Sequence, residues 1–123
     1  MTDNQNKKVL ICDDEEGIRE SLKLILENHY PLIIAESGEQ ALDIIDHDTT
    51  IGVVLLDIKM PKVNGLDILK QIKDKRDDLH VIMVTGYRSV ETASEAANLG
   101  ASGYIVKPFE TEEILEIVGK RIK

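Results

Sequence analysis

Five short apolar runs alternate along the chain with five longer stretches in which apolar residues recur every three or four positions. Most of the runs are continuous rather than alternating, which is typical of strands buried on both faces of a parallel sheet. The pattern therefore predicts five buried strands, over residues 8–12, 32–36, 51–57, 80–85 and 103–106.

The stretches between the strands have the spacing of amphipathic helices that bury one face. Ser37, followed by Gln40 three residues later, predicts a capping box at the start of the second helix. Gly100 is expected to terminate the fourth helix, because glycine readily adopts the backbone conformation that ends a helix. The five helices are predicted around residues 18–26, 37–46, 66–73, 90–99 and 111–122, the third of them after a turn at 61–65.

Strict alternation of strands and helices predicts an α/β domain with right-handed crossovers between parallel strands. Five such units in one small domain fit a doubly wound, flavodoxin-like (βα)5 sheet with strand order 2-1-3-4-5. In that architecture, sites form outside the carboxyl ends of the strands, beside the first strand. The residues that follow the strands are therefore the candidates for function.

Charged and hydroxyl side chains stand at four of these strand ends. A single aspartate there is usually a turn residue, and a run of acids is usually a solvated loop. Charged and hydroxyl side chains at four strand ends together are harder to explain as turn or loop residues, because the predicted strand order brings the four strand ends to one edge of the sheet. The residues are Asp13, Asp14, Glu15 and Glu16 after strand one, Asp57 after strand three, Thr85 at strand four and Lys107 at strand five.

Carboxylates crowded into one small space repel each other unless a cation is present. Asp13, Asp14 and Asp57 would suit Mg²⁺, or Mn²⁺, which prefers carboxylate, carbonyl and water oxygens. Lys107 and Thr85 can hold phosphoryl oxygens through an ammonium charge and a hydroxyl hydrogen bond. An aspartate nucleophile beside a metal ion, a lysine and a threonine has the groups that phosphoryl transfer requires.

The length and composition of the chain further limit the class of protein to which it can belong. A chain of 123 residues is expected to form a single domain over 1–123, with residues 1–7 as a flexible tail. Its net charge of −8 argues against direct nucleic-acid binding by this domain. Cys12 is the lone cysteine, so we expect a buried thiol and no disulfide. The polar start and the lack of an apolar stretch of about 20 residues predict a cytoplasmic protein without a membrane span.

Four segments of the chain resemble the receiver domains of bacterial response regulators in two-component signalling. The resemblance runs over about residues 8–122 and includes the motif D-x-x-M-P-x-x-[DN]-G, which begins here at Asp57. The segments are KKVLICDDEEGIRESL, VVLLDIKMPKVNGLDIL, VIMVTGY and GASGYIVKPF.

The resemblance implies a role for each matching residue. Asp57 would be the phosphoacceptor, and Lys107 would bind a phosphoryl oxygen ahead of a cis Lys107–Pro108 bond. The remaining matches are Asp14 as a direct metal ligand, Asp13 as a ligand acting mainly through water, the Lys59 carbonyl as a third protein ligand, Thr85 as the hydroxyl that binds phosphoryl oxygen, and Tyr104 as the aromatic switch residue.

The resemblance also implies partners. The phosphoryl group would come from a sensor histidine kinase or a phosphotransfer protein. Phosphorylation would switch the surface of helix four, strand five and helix five, which would control an output domain, a downstream protein or a phosphorylation-dependent homodimer. Such a domain is not an enzyme in the usual sense, because it catalyses only its own phosphorylation and dephosphorylation.

Lys59 and Tyr87 lie two residues after Asp57 and Thr85, respectively. They are expected to flank the line along which water attacks the phosphoaspartate. A long lysine and a bulky tyrosine are expected to block the approach of that water, so we expect the phosphoaspartate to be long-lived.

Two other classes of protein are alternatives. An aspartate-nucleophile phosphohydrolase would carry D-x-D-x-[TV] directly after strand one, where this chain has adjacent Asp13 and Asp14. A flavin- or nucleotide-binding module would need a Gly/Ser/Thr-rich phosphate loop there, and four acids would repel phosphate. His29, His47 and His80 have no partner pattern and are interpreted as loop or strand-edge residues.

Overall fold

The computed structural model describes residues 7–122, which form a parallel sheet covered on both faces by helices. Its five strands are β1 (Lys8–Cys12), β2 (Leu32–Ala35), β3 (Ile51–Leu56), β6 (His80–Thr85) and β7 (Gly103–Val106), and β4 (Lys59–Met60) and β5 (Val63–Asn64) form a separate hairpin. The five strands lie in the order β2-β1-β3-β6-β7, which is the predicted order 2-1-3-4-5 when the strands of this sheet alone are numbered.

The hairpin is an element that the hydrophobic pattern did not predict. It pairs β4 (Lys59–Met60) with β5 (Val63–Asn64) in antiparallel register, and Lys62 in its turn has a positive φ of 72°. The predicted strands at 32–36 and 51–57 each end one residue earlier than expected, so Asp57 lies in the loop just beyond β3.

The five helices occur where periodicity placed them. At the start of α2, Ser37 Oγ accepts a hydrogen bond from the Gln40 N–H. The Gln40 side chain accepts from the Glu36 N–H at 2.7 Å, not from Ser37, so only half of the predicted capping box forms. The helices are α1 (Glu16–Leu26), α2 (Gly38–His47), α3 (Gly65–Lys75), α4 (Val90–Asn98) and α5 (Thr111–Arg121).

Burial on both faces explains the continuous apolar runs. All six residues of β3 are buried, and the side chains of its last four residues alternate between two apolar layers. Val54 and Leu56 pack on the side of α2, α3 and α4, whereas Val53 and Leu55 pack on the side of α1 and α5. Within residues 7–122, no helix is long and apolar enough to cross a membrane.

Register brings the chemical residues to one edge of the sheet. Cys12 at the end of β1 lies opposite Leu56 at the end of β3, so Asp13 and Asp57 follow neighbouring strands. The Asp57 N–H donates to the Cys12 carbonyl at 3.2 Å, and the Lys107 N–H donates to the Thr85 carbonyl at 2.8 Å. Parallel pairing thereby continues into the loops that carry the functional groups.

A close backbone approach fixes the loop after Asp57. The Gly65 N–H donates to the Ile58 carbonyl at 2.6 Å, which holds the start of α3 against this loop. A Cβ atom at Gly65 would overlap the Asp57 carbonyl oxygen, so only glycine fits here. The glycine of the sequence motif therefore has a packing reason. Gly100, with φ of 103°, directly follows Leu99, the C-cap residue of α4, and so lies at the predicted helix end.

Candidate functional site

Three aspartates form an acidic cluster at the carboxyl edge of the sheet. One carboxylate oxygen from each of Asp13, Asp14 and Asp57 lies within 4.8 Å of the others. Asp13 and Asp57 are buried, at 2% and 4% exposure, whereas Asp14 faces solvent. The sequence prediction that these three acids meet is therefore reproduced by the geometry.

The loop that carries Asp13 is held by two further contacts. Asp13 Oδ1 accepts from the Glu15 N–H at 2.9 Å, forming a tight turn after β1. Arg19, one turn into α1, donates from Nη1 to the Asp13 carbonyl at 2.8 Å. Sequence reasoning missed Arg19, because nothing in the residue pattern links a helix arginine to a backbone carbonyl six positions earlier.

Lys107 is the cation that contacts the acidic cluster. Its Nζ donates to Asp13 Oδ2 and Glu15 Oε1 at 3.0 Å each, and to Asp57 Oδ2 at 3.1 Å. Burial alone would lower the pKa of Lys107, but the hydrogen bonds to Asp13 and Glu15 and the charge of Asp57 outweigh it and raise that pKa. Lys107 is therefore a permanent positive charge. The Lys107–Pro108 peptide bond is cis, as the resemblance implied.

The site carries more negative than positive charge. Burial raises the pKa of the Asp13 carboxyl, with a further contribution from the charge of Asp57. The Glu15 N–H and Lys107 oppose that rise. Among residues 7–122, Lys107 alone pairs with Asp13, Glu15 and Asp57, and Asp14 lies close by. An additional cation would relieve the repulsion that remains.

An open cavity of about 640 Å³ adjoins this cluster. Thr85, fully buried at the end of β6, lines it, and its Oγ1 accepts from the Tyr87 N–H at 3.4 Å. Its hydroxyl proton remains able to donate to an oxygen in the cavity. The full lining is Asp14, Glu15, Asp57, Lys59, Met60, Pro61, Thr85, Gly86, Tyr87 and Lys107.

Lys59 and Tyr87 are exposed residues in this lining, and Tyr87 is 43% exposed. The Tyr104 hydroxyl donates to the Tyr87 carbonyl at 2.9 Å. The Tyr104 ring is half-buried against the apolar layer that includes Met83 and Ala96, and burial raises the pKa of its phenol. Tyr104 is thereby connected to the loop that follows Thr85.

The donor set fits a hard divalent cation. Mg²⁺ binds oxygen ligands, usually through one or two carboxylates with water completing the shell. The cluster offers two buried carboxylates and one exposed carboxylate beside an open, water-accessible cavity. Cys12 is buried with a pKa raised to about 12, mainly by burial, so its thiol is not a metal-binding thiolate.

The histidines lie outside this constellation. His80 Nδ1 is 2.8 Å from Ser102 Oγ at the opposite edge of the sheet, and His47 Nδ1 is 2.8 Å from the Asp43 carbonyl in α2. The ring of His29 lies 6.2 Å from that of Tyr30. None of the three lines the cavity beside Asp57.

Comparison with known proteins identifies the family. Residues 9–119 match the response regulator receiver domain. The chain is 38% identical over 116 residues to sporulation initiation phosphotransferase F of Bacillus subtilis, covering 94% of this chain and 93% of the relative. It is also 38% identical to response regulator MprA of Mycolicibacterium vanbaalenii over 109 residues, 88% of this chain but 47% of that protein. The chain thus spans about half the length of several curated relatives that it matches.

Solved structures agree with this assignment. A CheY-like receiver domain from Methanospirillum hungatei superposes with a TM-score of 0.90 at 35% identity, covering 95% of this chain and 94% of that one. The CheX-CheY-BeF3-Mg²⁺ complex from Borrelia burgdorferi gives a TM-score of 0.87 at 30% identity, with coverage of 93% and 87%. The phosphohydrolase alternative is not favoured. This chain therefore belongs to the family of response regulator receiver domains.

Proposed function

We propose that Asp57 accepts the phosphoryl group, and that Asp13, Asp14, Lys107 and Thr85 serve that reaction. The observation that supports this proposal is the convergence of three carboxylates, one ammonium and one hydroxyl on a single open cavity. The donor that we propose is the phosphohistidine of a sensor histidine kinase or of a phosphotransfer protein.

The transfer follows from the position of Asp57. A carboxylate oxygen of Asp57 attacks phosphorus, and a new O–P bond forms as the N–P bond of the phosphohistidine breaks. The electron pair of that N–P bond returns to the imidazole nitrogen, which takes up a proton from solvent water. The product is an acyl phosphate whose oxygens need positive and hydrogen-bonding groups around them.

Two side chains would supply those groups. Lys107 is already within 3.1 Å of Asp57, so its ammonium can pair with an oxygen of a phosphoryl group attached there. Thr85 can donate its hydroxyl proton to a second oxygen while still accepting from the Tyr87 N–H. Thr85 is the last residue of the buried strand β6, and Lys107 directly follows β7. Both groups are therefore in place before the reaction, which lowers the cost of orienting them.

Asp13, Asp14, Asp57 and the Lys59 carbonyl would hold Mg²⁺, or Mn²⁺ in its place. The ion would supply positive charge that Lys107 cannot provide by itself beside four carboxylates. Asp13 is buried and engaged with Lys107, so we assign it to contact through water, and we assign the exposed Asp14 to direct ligation.

The signal would travel from Thr85 to Tyr104. A hydroxyl drawn toward the phosphoryl group would move the loop whose Tyr87 carbonyl accepts from Tyr104. Tyr104 lies in β7 between α4 and α5, and this α4–β7–α5 surface is the one that we propose meets an output domain, a downstream protein or a second copy. A partner must bind the two states with different affinity for this switch to work.

We further propose that residues 1–123 form one receiver domain that works in the cytoplasm, where histidine kinases use ATP. It would catalyse its own phosphorylation and dephosphorylation and turn over no separate substrate. Nothing is described of residues 1–6, so a flexible tail at 1–7 stays a prediction.

Incubation with Mg²⁺ and acetyl phosphate, followed by intact-mass measurement, tests the acceptor. The wild type should gain one phosphoryl group, and Asp57→Asn should gain none, because an amide is not the required nucleophile. Asp78→Asn, an exposed acid beside β6 at the opposite sheet edge, is the matched control and should label fully. Full labelling of Asp57→Asn would overturn the assignment.

A further inference from the structure

Every N–H donor of Lys107 is already engaged in this structure. An ammonium has three donors, and Lys107 Nζ contacts three carboxylates at 3.0–3.1 Å. A phosphoryl oxygen can therefore bind Lys107 only by displacing one of these partners. The free-energy cost of the bond between Lys107 and the phosphoryl oxygen depends on which carboxylate is displaced.

The three partners differ in how easily they can be released. The Asp13 side chain is 2% exposed, so losing Lys107 would leave its Oδ2 atom buried without this hydrogen-bond donor. Asp57 lies 3.1 Å from Lys107 and would carry the phosphoryl group itself, so it cannot move away from the site. The Glu15 side chain is 61% exposed, so water can solvate its carboxylate once Lys107 lets go. Glu15 is the partner that can leave at least cost.

We propose that Glu15 is a releasable tether that competes with the phosphoryl group for Lys107. In the unphosphorylated state it holds the lysine toward the β1–α1 loop, and its negative charge opposes an incoming anion. Phosphorylation then requires the Glu15–Lys107 contact to open. Glu15 is thus a positioning residue that sets how tightly the site binds a phosphoryl group. This inference rests on the proposed role of Asp57.

The chain offers a matched pair of variants for the test. Glu15→Gln and Glu16→Gln remove the same charge from adjacent exposed residues. Among residues 7–122, Glu16 forms no hydrogen bond or ion pair with Lys107, whereas Glu15 does. Glu15 precedes α1 but makes no side-chain capping bond, so its replacement should leave the helix intact.

Beryllofluoride, a phosphoryl mimic, is titrated at saturating Mg²⁺, and binding is followed by amide NMR. Glu15→Gln should lower the Kd for beryllofluoride about two- to fivefold, the range expected for a partly exposed ion pair. Glu16→Gln should change that Kd by less than about 1.5-fold, because Glu16 does not contact Lys107 and because salt screens its charge. Equal Kd values in wild type and Glu15→Gln, or equal gains in both variants, would overturn the tether.

Two further measurements separate competition from general effects. Mg²⁺ titrated alone should bind Glu15→Gln no more tightly than wild type, because removing a negative charge cannot favour a cation. In a Lys107→Met background, Glu15→Gln should no longer change the beryllofluoride Kd more than Glu16→Gln does. A gain of the full size in that background would refute action through Lys107.

Failure of the tether differs from failure of the proposed function. If wild type binds beryllofluoride and is phosphorylated only at Asp57, an unchanged Glu15→Gln refutes the tether alone. If Asp57→Asn is phosphorylated as fully as wild type, the acceptor assignment fails and the tether fails with it.

Discussion

The metal-free protein should become more stable when Asp57 loses its charge. Asp57→Asn keeps the size of the side chain and its ability to accept a hydrogen bond from Lys107. The substitution removes one attraction, to Lys107 at 3.1 Å, and two repulsions, from Asp13 and Asp14 within 4.8 Å. The sign of the effect depends on which of these contributions is larger.

The distances give the magnitude. At an effective dielectric constant of about 20, the attraction at 3.1 Å is about 5 kcal/mol. The two repulsions, taken at the 4.8 Å upper limit of the oxygen separations, are about 3.5 kcal/mol each, or about 7 kcal/mol together. Repulsion therefore exceeds attraction by about 2 kcal/mol, and the burial of the Asp57 charge acts in the same direction.

Urea unfolding in EDTA measures this difference, with Asp78→Asn as the control for net charge. Asp57→Asn should be more stable than wild type by about 2 kcal/mol, and Asp14→Asn by a smaller amount because Asp14 is exposed to water. Mg²⁺ should stabilise wild type by mass action more than it stabilises Asp57→Asn. Equal or lower metal-free stability of Asp57→Asn would refute the crowded acid cluster.

Three further outcomes are expected. The double variant Lys59→Asn, Tyr87→Ala should lose its phosphoryl group about tenfold faster after the donor is removed, about 1.4 kcal/mol of barrier, and an unchanged decay would exclude these side chains from setting the lifetime. Hydrogen bonding to Lys8 lowers the pKa of Asp48 to about 2, so Asp48→Asn should cost about 1 kcal/mol in unfolding experiments at neutral pH. The lowered pKa gives stability that is present above the ordinary value of 3.8, so that difference should shrink as pH falls from there toward 2. Beryllofluoride should shift the amide NMR signals of α4 and Tyr104, and shifts confined to the neighbours of Asp57 would contradict the proposed switch.

Hydrophobic patterning predicted the five strands of the parallel sheet, but not the β4–β5 hairpin. A strand buried on both faces has to be apolar throughout, and each helix has to repeat its apolar face, so the order of elements follows from the residue pattern. The order of the strands in turn places Asp13, Asp57, Thr85 and Lys107 at one edge. Candidate chemistry was therefore predictable because it depends on where strands end, which the pattern marks to within one residue.

Only the tertiary structure decided how these groups pair. Lys107 and Glu15 are 92 positions apart, and no local pattern shows that their side chains meet at 3.0 Å. The same holds for the bond from Tyr104 to the Tyr87 carbonyl. Side-chain partners depend on distances of a few tenths of an ångström, and packing of the whole sheet sets those distances. The sequence determined which functional groups lie at the carboxyl edge of the sheet. The fold determined that all three N–H donors of the Lys107 ammonium are bound to carboxylates, so that one carboxylate has to be displaced before another group can bind.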